Sequence, residues 1–381
     1  TKIRIKKNIN HKYSCSKCHK TIKRATPEIK PFFPCRATNR FISHVLTQKF
    51  VMHLPYYRQS GEFARHGINI SSSLLCSYTI RAYKTISIIV DYLTTDLLSR
   101  DYLRSDEPTL QVIDDDNYKS YIWRHMTGER DNRIVIYKYS DNRRKENATE
   151  FLSAFLGYHQ TDGYGGYDEI HTKQGVIYVG CLAHARRKFF EICQDKKGDK
   201  KKKNNKNSPA HKIIIIIASL YEIEEKIKDL PPDEKFEYRQ LKSKKIWQDL
   251  EVILLKHQKK QKDKDSKFAK AVNYTLNRFE ALMVYLDDGR LFIDNNDNER
   301  AIKPLALGRK NWMFCKGSDG ANAAAYFYSI TVTCLENDVD PNKYLNFLFD
   351  KWEDIKNNPE KIKSILPHRI DGKMVNGYGD A

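Results

Sequence analysis

Between Leu103 and Cys181 the chain carries four short β-branched and aromatic runs, Leu110–Ile113, Tyr121–Trp123, Ile134–Tyr139 and Val176–Val179, each bounded by polar turns. Such runs pack as strands of a small sheet. A helical stretch from about Asn147 to Leu156 breaks the series and another follows from Ala183 to Cys193. Strands and helices therefore share one unit, and an α/β layer architecture is expected. Helical patterns return over Ile213–Leu230, Pro232–His257 and Phe268–Leu286. They read as an all-helical insertion with solvated faces that hold pairs such as Glu225 and Lys228. The Lys/Asn run Lys196–Asn207 lacks apolar periodicity and reads as a solvated excursion. Beyond Asp340 one or two terminal helices follow, with Phe349 and Trp352 as packing anchors.

Upstream of the sheet, apolar residues at three- and four-residue steps (Ile42, Val45, Leu46, Phe50, Val51) make the stretch from Phe41 to about Leu98 helical. A short helix from Pro55 ends at Gly67, and Ser71 or Ser72 caps the next, which runs through Leu74, Leu75, Tyr78 and Ile80. Two short helices across a Gly turn have the layout of a helix-turn-helix, whose second helix would aim Ser71, Ser72, Ser73, Ser77 and Arg81 at DNA. A plain helical hairpin is the alternative. The basic segment before Pro34 contains Cys15-x-x-Cys18, half of a zinc knuckle. A tetrahedral Zn site needs four ligands, which Cys35, His11 or His19 could help supply; two ordinary thiols in a loop is the other reading. The chain thus divides into a partial zinc-binding-like segment (1–35) and a helical DNA-binding region (36–98). A sheet core in two parts (99–195 and 286–338) flanks the loop and helical insertion (196–285), and a terminal helical element closes the chain (339–381).

Charge narrows the partner. With 67 Lys+Arg against 48 Asp+Glu in 381 residues, the formal charge of +19 favours an acidic polymer, nucleic acid first, although biased genomic composition also enriches lysine. The longest aliphatic run, Ile213–Ile217, is too short to span a bilayer. Nothing near Thr1 resembles a signal peptide, and the missing initiator Met suggests residues upstream. A soluble, cytoplasmic, nucleoid-associated protein is the expectation. Eight cysteines in so long a chain form no dense disulfide framework.

Cutting a phosphodiester without a covalent enzyme intermediate requires an activated water or 3′ hydroxyl, and paired divalent metals held by carboxylates are the usual device. Three acidic residues have suitable contexts. Asp106 stands at the entrance of an expected strand, Asp162 ends an extended segment beside glycines, and Glu299 follows Asp294-Asn-Asn-Asp-Asn. If that last block starts a helix, Asn295 and Asn296 share a face with Glu299. The run Asp114–Asp116 is a rival source of the first ligand. His184, Arg187 and Lys188, on the helix after the last strand, are candidate phosphate contacts, as are Arg300, Lys303, Arg309 and Lys310. Alternatively, the first of these helices is a basic surface helix with Cys181 and Phe189 in the core. Trp312, in Gly308-Arg-Lys-Asn-Trp312, is either core or a stacking surface for a base.

These blocks in combination resemble the DDE transposases of the insertion-sequence family numbered sixty-six. The similarity runs from about Lys12 to near the C-terminus, through Tyr13-Ser-Cys-Ser-Lys-Cys18, His53-Leu-Pro-Tyr-Tyr-Arg-Gln59, Phe63-Ala-Arg-His-Gly67, Ser105-Asp-Glu-Pro-Thr109, Gln160-Thr-Asp-Gly-Tyr164, Cys181-Leu-Ala-His-Ala-Arg-Arg-Lys-Phe189 and the stretch from Asp294 to Trp312. The resemblance implies a ribonuclease-H-like core with a helical insertion, and Asp106, Asp162 and Glu299 as catalytic ligands of Mg²⁺ (or Mn²⁺). It further implies Cys15 and Cys18 as a zinc-binding pair, double-stranded DNA as partner, and a homo-oligomer that holds element ends while a strand is cut and its 3′ hydroxyl joined to target DNA. Departures from the family pattern are the Pro108-Thr109 order, Arg104 where a His is common, and no Cys pair upstream. A decayed, truncated copy that only binds DNA and a nuclease of the same fold are the alternative expectations.

Overall fold

The computed structural model describes Ile9 and residues 11–24, 31–115, 119–129, 131–194, 208–261 and 263–378, with backbone alone for 24 and 297–302. Strands β1 (Lys12–Ser14) and β2 (Ile22–Arg24) form a small hairpin, followed by helices α1 (Asn39–Phe50), α2 (Tyr56–Arg65), α3 (Ser72–Ile86) and α4 (Ile88–Leu98). Next come β3 (Tyr102–Asp106), β4 (Thr109–Leu110), β5 (Ser120–Thr127), β6 (Val135–Ser140), α5 (Glu146–Phe151), β7 (Gly157–Gln160), α6 (Asp168–His171), β8 (Val176–Val179) and α7 (Leu182–Gln194). The helical block comprises α8 (Pro209–Ile227), α9 (Pro232–Tyr238), α10 (Lys244–Lys259), α11 (Lys267–Leu276) and α12 (Phe279–Met283). Then follow α13 (Asn296–Trp312), α14 (Ser318–Glu336), α15 (Pro341–Ile355), α16 (Pro359–Ser364) and α17 (Gly372–Asn376). No helix among the described residues is long and apolar enough to cross a membrane. The whole Lys/Asn run Lys196–Asn207, together with Asp116, lies outside the described residues.

The main sheet is mixed. Across it the order is β6–β5–β3–β7–β8, with β5 antiparallel to both β3 and β6, and β7 parallel to β3 and β8. Strand β4 continues the line of β3 along the same edge of β5 after a break at Glu107 and Pro108. Proline lacks the N–H a ladder needs, yet its carbonyl accepts from Ile122 N at 2.9 Å, so the chain stays beside β5. Asp106 therefore closes β3 rather than entering it. The buried polar residues Arg104 and Ser105 hid this strand from a hydrophobicity reading.

One face of the sheet shares a core with the N-terminal helices, α14 and α15, and contains Leu103, Trp123 and Ile136. The other face, with Tyr102 and Val179, packs against α7, α8, α10 and α11. Helix α14 has no polar stripe and is buried nearly all round from Ala321 to Cys334, as a central helix must be. It also covers the free edge of β6: Val135 N donates to Thr333 Oγ1 at 3.1 Å and Tyr137 N to Ser329 Oγ at 2.9 Å, which leaves that edge no template for another strand. The terminal anchors behave as expected, with Phe32 stacked on Phe349 at 3.9 Å and Trp352 buried. The expected single helix Pro232–His257 is split by a π-helical turn, Arg239–Ser243. There Arg239 turns inward to donate to Glu224 and to the carbonyls of Tyr285, Asp288 and Leu291.

Candidate active site

The register of the parallel pair decides what the site contains. Arg104 lies opposite Gln160, so Asp106 and Asp162, each two residues further on, leave the sheet at the same level. Parallel strands of a layered α/β sheet place such ends beside a crevice. Asp106 Oδ1 accepts Glu107 N–H at 2.8 Å, and its Oδ2 lies 3.8 Å from the buried Arg124 Nη2. Burial pushes the Asp106 carboxyl above its ordinary range; Arg124 opposes the shift and the Asp162 charge adds to it. Asp162 Oδ1 accepts Tyr164 N–H at 2.9 Å, inside the turn where Gly163 takes φ +84°. A Cβ there would also strike Arg278 Nε.

Glu107, which the sequence reading passed over, adds a further carboxylate. It accepts from Tyr167 Oη at 2.9 Å and from Arg143, and burial raises it to about 7 despite that arginine. Below these acids Ser105 Oγ sits 2.7 Å from His125 Nδ1 and 2.8 Å from His159 Nε2, and His159 Nδ1 is 3.1 Å from His171 Nε2. Burial holds the three rings neutral, with His125 down to about 3 and His171 to about 4. They stitch β5, β3, β7 and α6 together across the sheet.

The side chains of Glu299 and Arg300 lie outside the described residues, but the segment that leads to them is fixed. Arg104 Nε donates to Asn295 Oδ1 at 3.1 Å and its Nη2 to Asp294 O at 3.0 Å, while Asn295 Nδ2 donates to Ser105 O at 3.2 Å. Arg104, the departure from the family pattern, thus clamps the start of α13 to the strand that ends in Asp106. Glu299 is one helical turn beyond Asn295.

Helix α7 brings basic groups to the same corner. His184 stands on that helix with its Nε2 3.4 Å from Arg187 Nη1. Lys188 Nζ sits 4.3 Å from the Tyr274 ring, and Tyr274 Oη donates to Asp162 O at 2.8 Å. With Arg278 donating to Gly163 O at 2.9 Å, α11 and its end wall the site, a contribution no motif announced. Cys181 lies 3.2 Å from His184 Nδ1, but burial pushes its thiol up to about 12, so it stays protonated.

Other candidates fall elsewhere. Ser71 Oγ caps α3 by accepting Leu74 N–H, Ser72 begins that helix, and Arg81 donates to Pro34 O and covers the Phe33 ring at 4.7 Å. Arg309 is turned to Thr109, whereas Lys303 and Lys310 are exposed. Asp114 Oδ2 would lie 2.9 Å from a Cβ at Gly317, within the segment paired to Cys315 and Lys316. At the N-terminal hairpin Cys15 O accepts His19 N–H at 2.9 Å, and backbone N–H groups of Lys20 and Thr21 bring the Cys18 thiol down to about 7. Cys35 instead donates to Ala37 O at 3.3 Å. Among the described residues no three His, Cys, Asp or Glu side chains converge as a metal site. Among the described residues no third such side chain joins Cys15 and Cys18.

Fold and site define an α/β protein with two carboxylates at the level ends of adjacent parallel strands, ringed by basic groups. The chain belongs to the transposase IS66 family, which matches residues 34–323. Relatives in Sinorhizobium fredii (strain NBRC 101917 / NGR234) include Uncharacterized protein y4hP, 30% identical over 363 residues that cover 90% of this chain and 64% of that protein. Uncharacterized protein y4jD is 28% identical over 379 residues, covering 96% of this chain and 72% of its own length. The chain thus spans about two-thirds of the curated relatives it matches.

Proposed function

We propose that the protein is a DNA transposase that binds element ends, hydrolyses a strand and joins the freed 3′ hydroxyl to target DNA. Family membership supports the class. The β6–β5–β3–β7–β8 order, antiparallel on one side of β3 and parallel on the other, supports a ribonuclease-H-like core. The observation that carries the chemistry is the levelling of Asp106 with Asp162 while Arg104 and Asn295 hold the approach to Glu299 against the same strand.

These three acids fit hard divalent cations. Backbone N–H groups orient one oxygen of each aspartate, and mutual repulsion gives the pair a reason to bind cations. Asp106, Asp162 and Glu299 would hold Mg²⁺ or Mn²⁺, which stabilises charge on the attacking and leaving oxygens when bound. Arg187 and Lys188 supply positive charge for the DNA phosphates at that corner, His184 is a further phosphate contact beside them, and Arg124 offsets the Asp106 charge from beneath. Helices α2 and α3, turned about Gly67 (φ +78°), serve as the end-recognition unit, and a homo-oligomer holds two ends together. Incubation of the protein with labelled ends, target DNA and Mg²⁺ should give nicked and joined products. Loss of those products with Asp162→Asn, at undiminished DNA affinity, supports the assignment; equal activity of that variant overturns it.

A further inference from the structure

A second polar feature lies away from the carboxylates, where α1, α3 and the end of α13 meet. Lys49, only 9% exposed, points into a cavity of about 130 Å³. Its Nζ sits 4.7 Å from the ring centroids of both Tyr56 and Trp312, and among the described residues no carboxylate or hydrogen-bond acceptor meets it. The nearby hydroxyls bond elsewhere, Tyr56 Oη donating to Thr79 Oγ1 at 2.6 Å and Thr79 Oγ1 to Leu75 O at 3.2 Å, and the Lys49 ammonium meets the Tyr56 side chain at its ring face. The neighbouring thiols of Cys76 and Cys315 are held protonated by burial, so neither supplies an anion. A buried ammonium answered only by two aromatic faces is costly unless something else accepts its protons.

The cavity's other walls say what that is. Phe50, Ile80, Ala323 and Ala324 are apolar, and one ammonium in such walls would not compensate a desolvated phosphate. A flat heteroaromatic ring with one acceptor edge suits the volume and the single donor. The surroundings are basic: Lys316 is exposed at the cavity, Lys310 is exposed on the preceding helix, and Arg58 reaches Asn311 at 3.5 Å. We propose that this cavity receives one unstacked nucleobase of bound DNA, whose carbonyl or ring nitrogen accepts a hydrogen bond from Lys49, while the basic rim holds the adjoining backbone. The inference rests on the DNA-handling function proposed above, but it concerns a site separate from the carboxylates.

The test compares two duplexes that differ at one position, an unpaired thymidine in one and an abasic spacer in the other. The full chain should bind the thymidine duplex about tenfold more tightly, as a hydrogen bond to a charged donor allows. Lys49→Met and Ala324→Phe, the second of which fills the cavity from α14, should bring that ratio to about one while the abasic duplex binds as before. Lys49→Met should also raise the unfolding temperature without DNA, a result that a purely structural cation would reverse. A ratio of one for the unaltered protein, or an unchanged ratio in Lys49→Met, overturns the base pocket and leaves DNA binding standing. Failure to bind either duplex overturns both.

Discussion

At the ends of β3 and β7, charge is answered from within the protein: Asp106 faces Arg124, Glu107 takes Arg143 and Tyr167, and Asp162 is held by the N–H of Tyr164. Behind Trp312 the reverse holds, and Lys49 is left with two ring faces. Both regions concentrate polar groups at a junction of elements, but one is preassembled and the other incomplete. A preassembled corner suits chemistry, because oriented charges need not reorganise when the reaction begins. An unanswered buried charge suits recognition, because its cost falls when a ligand arrives.

Substitutions separate the two. The largest effect is expected at the corner, where Asp106→Asn or Asp162→Asn should slow strand cleavage by roughly three orders of magnitude or more, several kcal/mol of barrier. Unfolding temperature should hardly change in Asp162→Asn, which single-turnover assays with calorimetry would establish. Next, Arg104→Met leaves Asn295 Oδ1 and Asp294 O without their donor. It should cost about 3–4 kcal/mol in denaturant unfolding and lower cleavage as well, since the approach to Glu299 loosens.

Acid should act on the corner's foundation. His171 takes up a proton near 6.5 when unfolded but only near 4 when folded, so its contribution is complete above 6.5 and lost as pH falls towards 4. Between those values stability should drop by roughly 3 kcal/mol on this account, and His171→Phe should flatten the profile. The smallest effect belongs to the cavity: Lys49→Met should stabilise the free protein by about 1 kcal/mol, and a loss instead would erase the contrast between the regions.

Much of this was legible in the sequence, and the exceptions have physical causes. Strand β8 was readable to the residue because Val176–Val179 is β-branched and aromatic. Strand β3 was not, since Arg104 and Ser105 are buried through hydrogen bonds to residues far along the chain. Helix α14 lacks the apolar stripe that periodicity detects, because its serines and threonines serve a strand edge. Within the site, Asp162 was singled out by the glycines beside it and Asp106 by an expected strand entrance, which the structure turns into a strand end. Glu107, Arg124 and Tyr274 carried no local signature, as their roles arise only when β5 and α11 fold against β3 and β7. Lys49 looked like any surface lysine until Tyr56 and Trp312 closed over it.

The central claim is that Asp106, Asp162 and Glu299 share divalent metal, and iron-directed cleavage tests it without substrate. Fe²⁺ loaded in place of Mg²⁺, with ascorbate and peroxide, cuts backbone next to where it binds. The expected result is three clusters of cuts, around residues 106, 162 and 299, which added Mg²⁺ suppresses and Asp162→Asn abolishes. Cuts near 106 and 162 with none near 299, or cuts indifferent to Mg²⁺, would contradict the shared site.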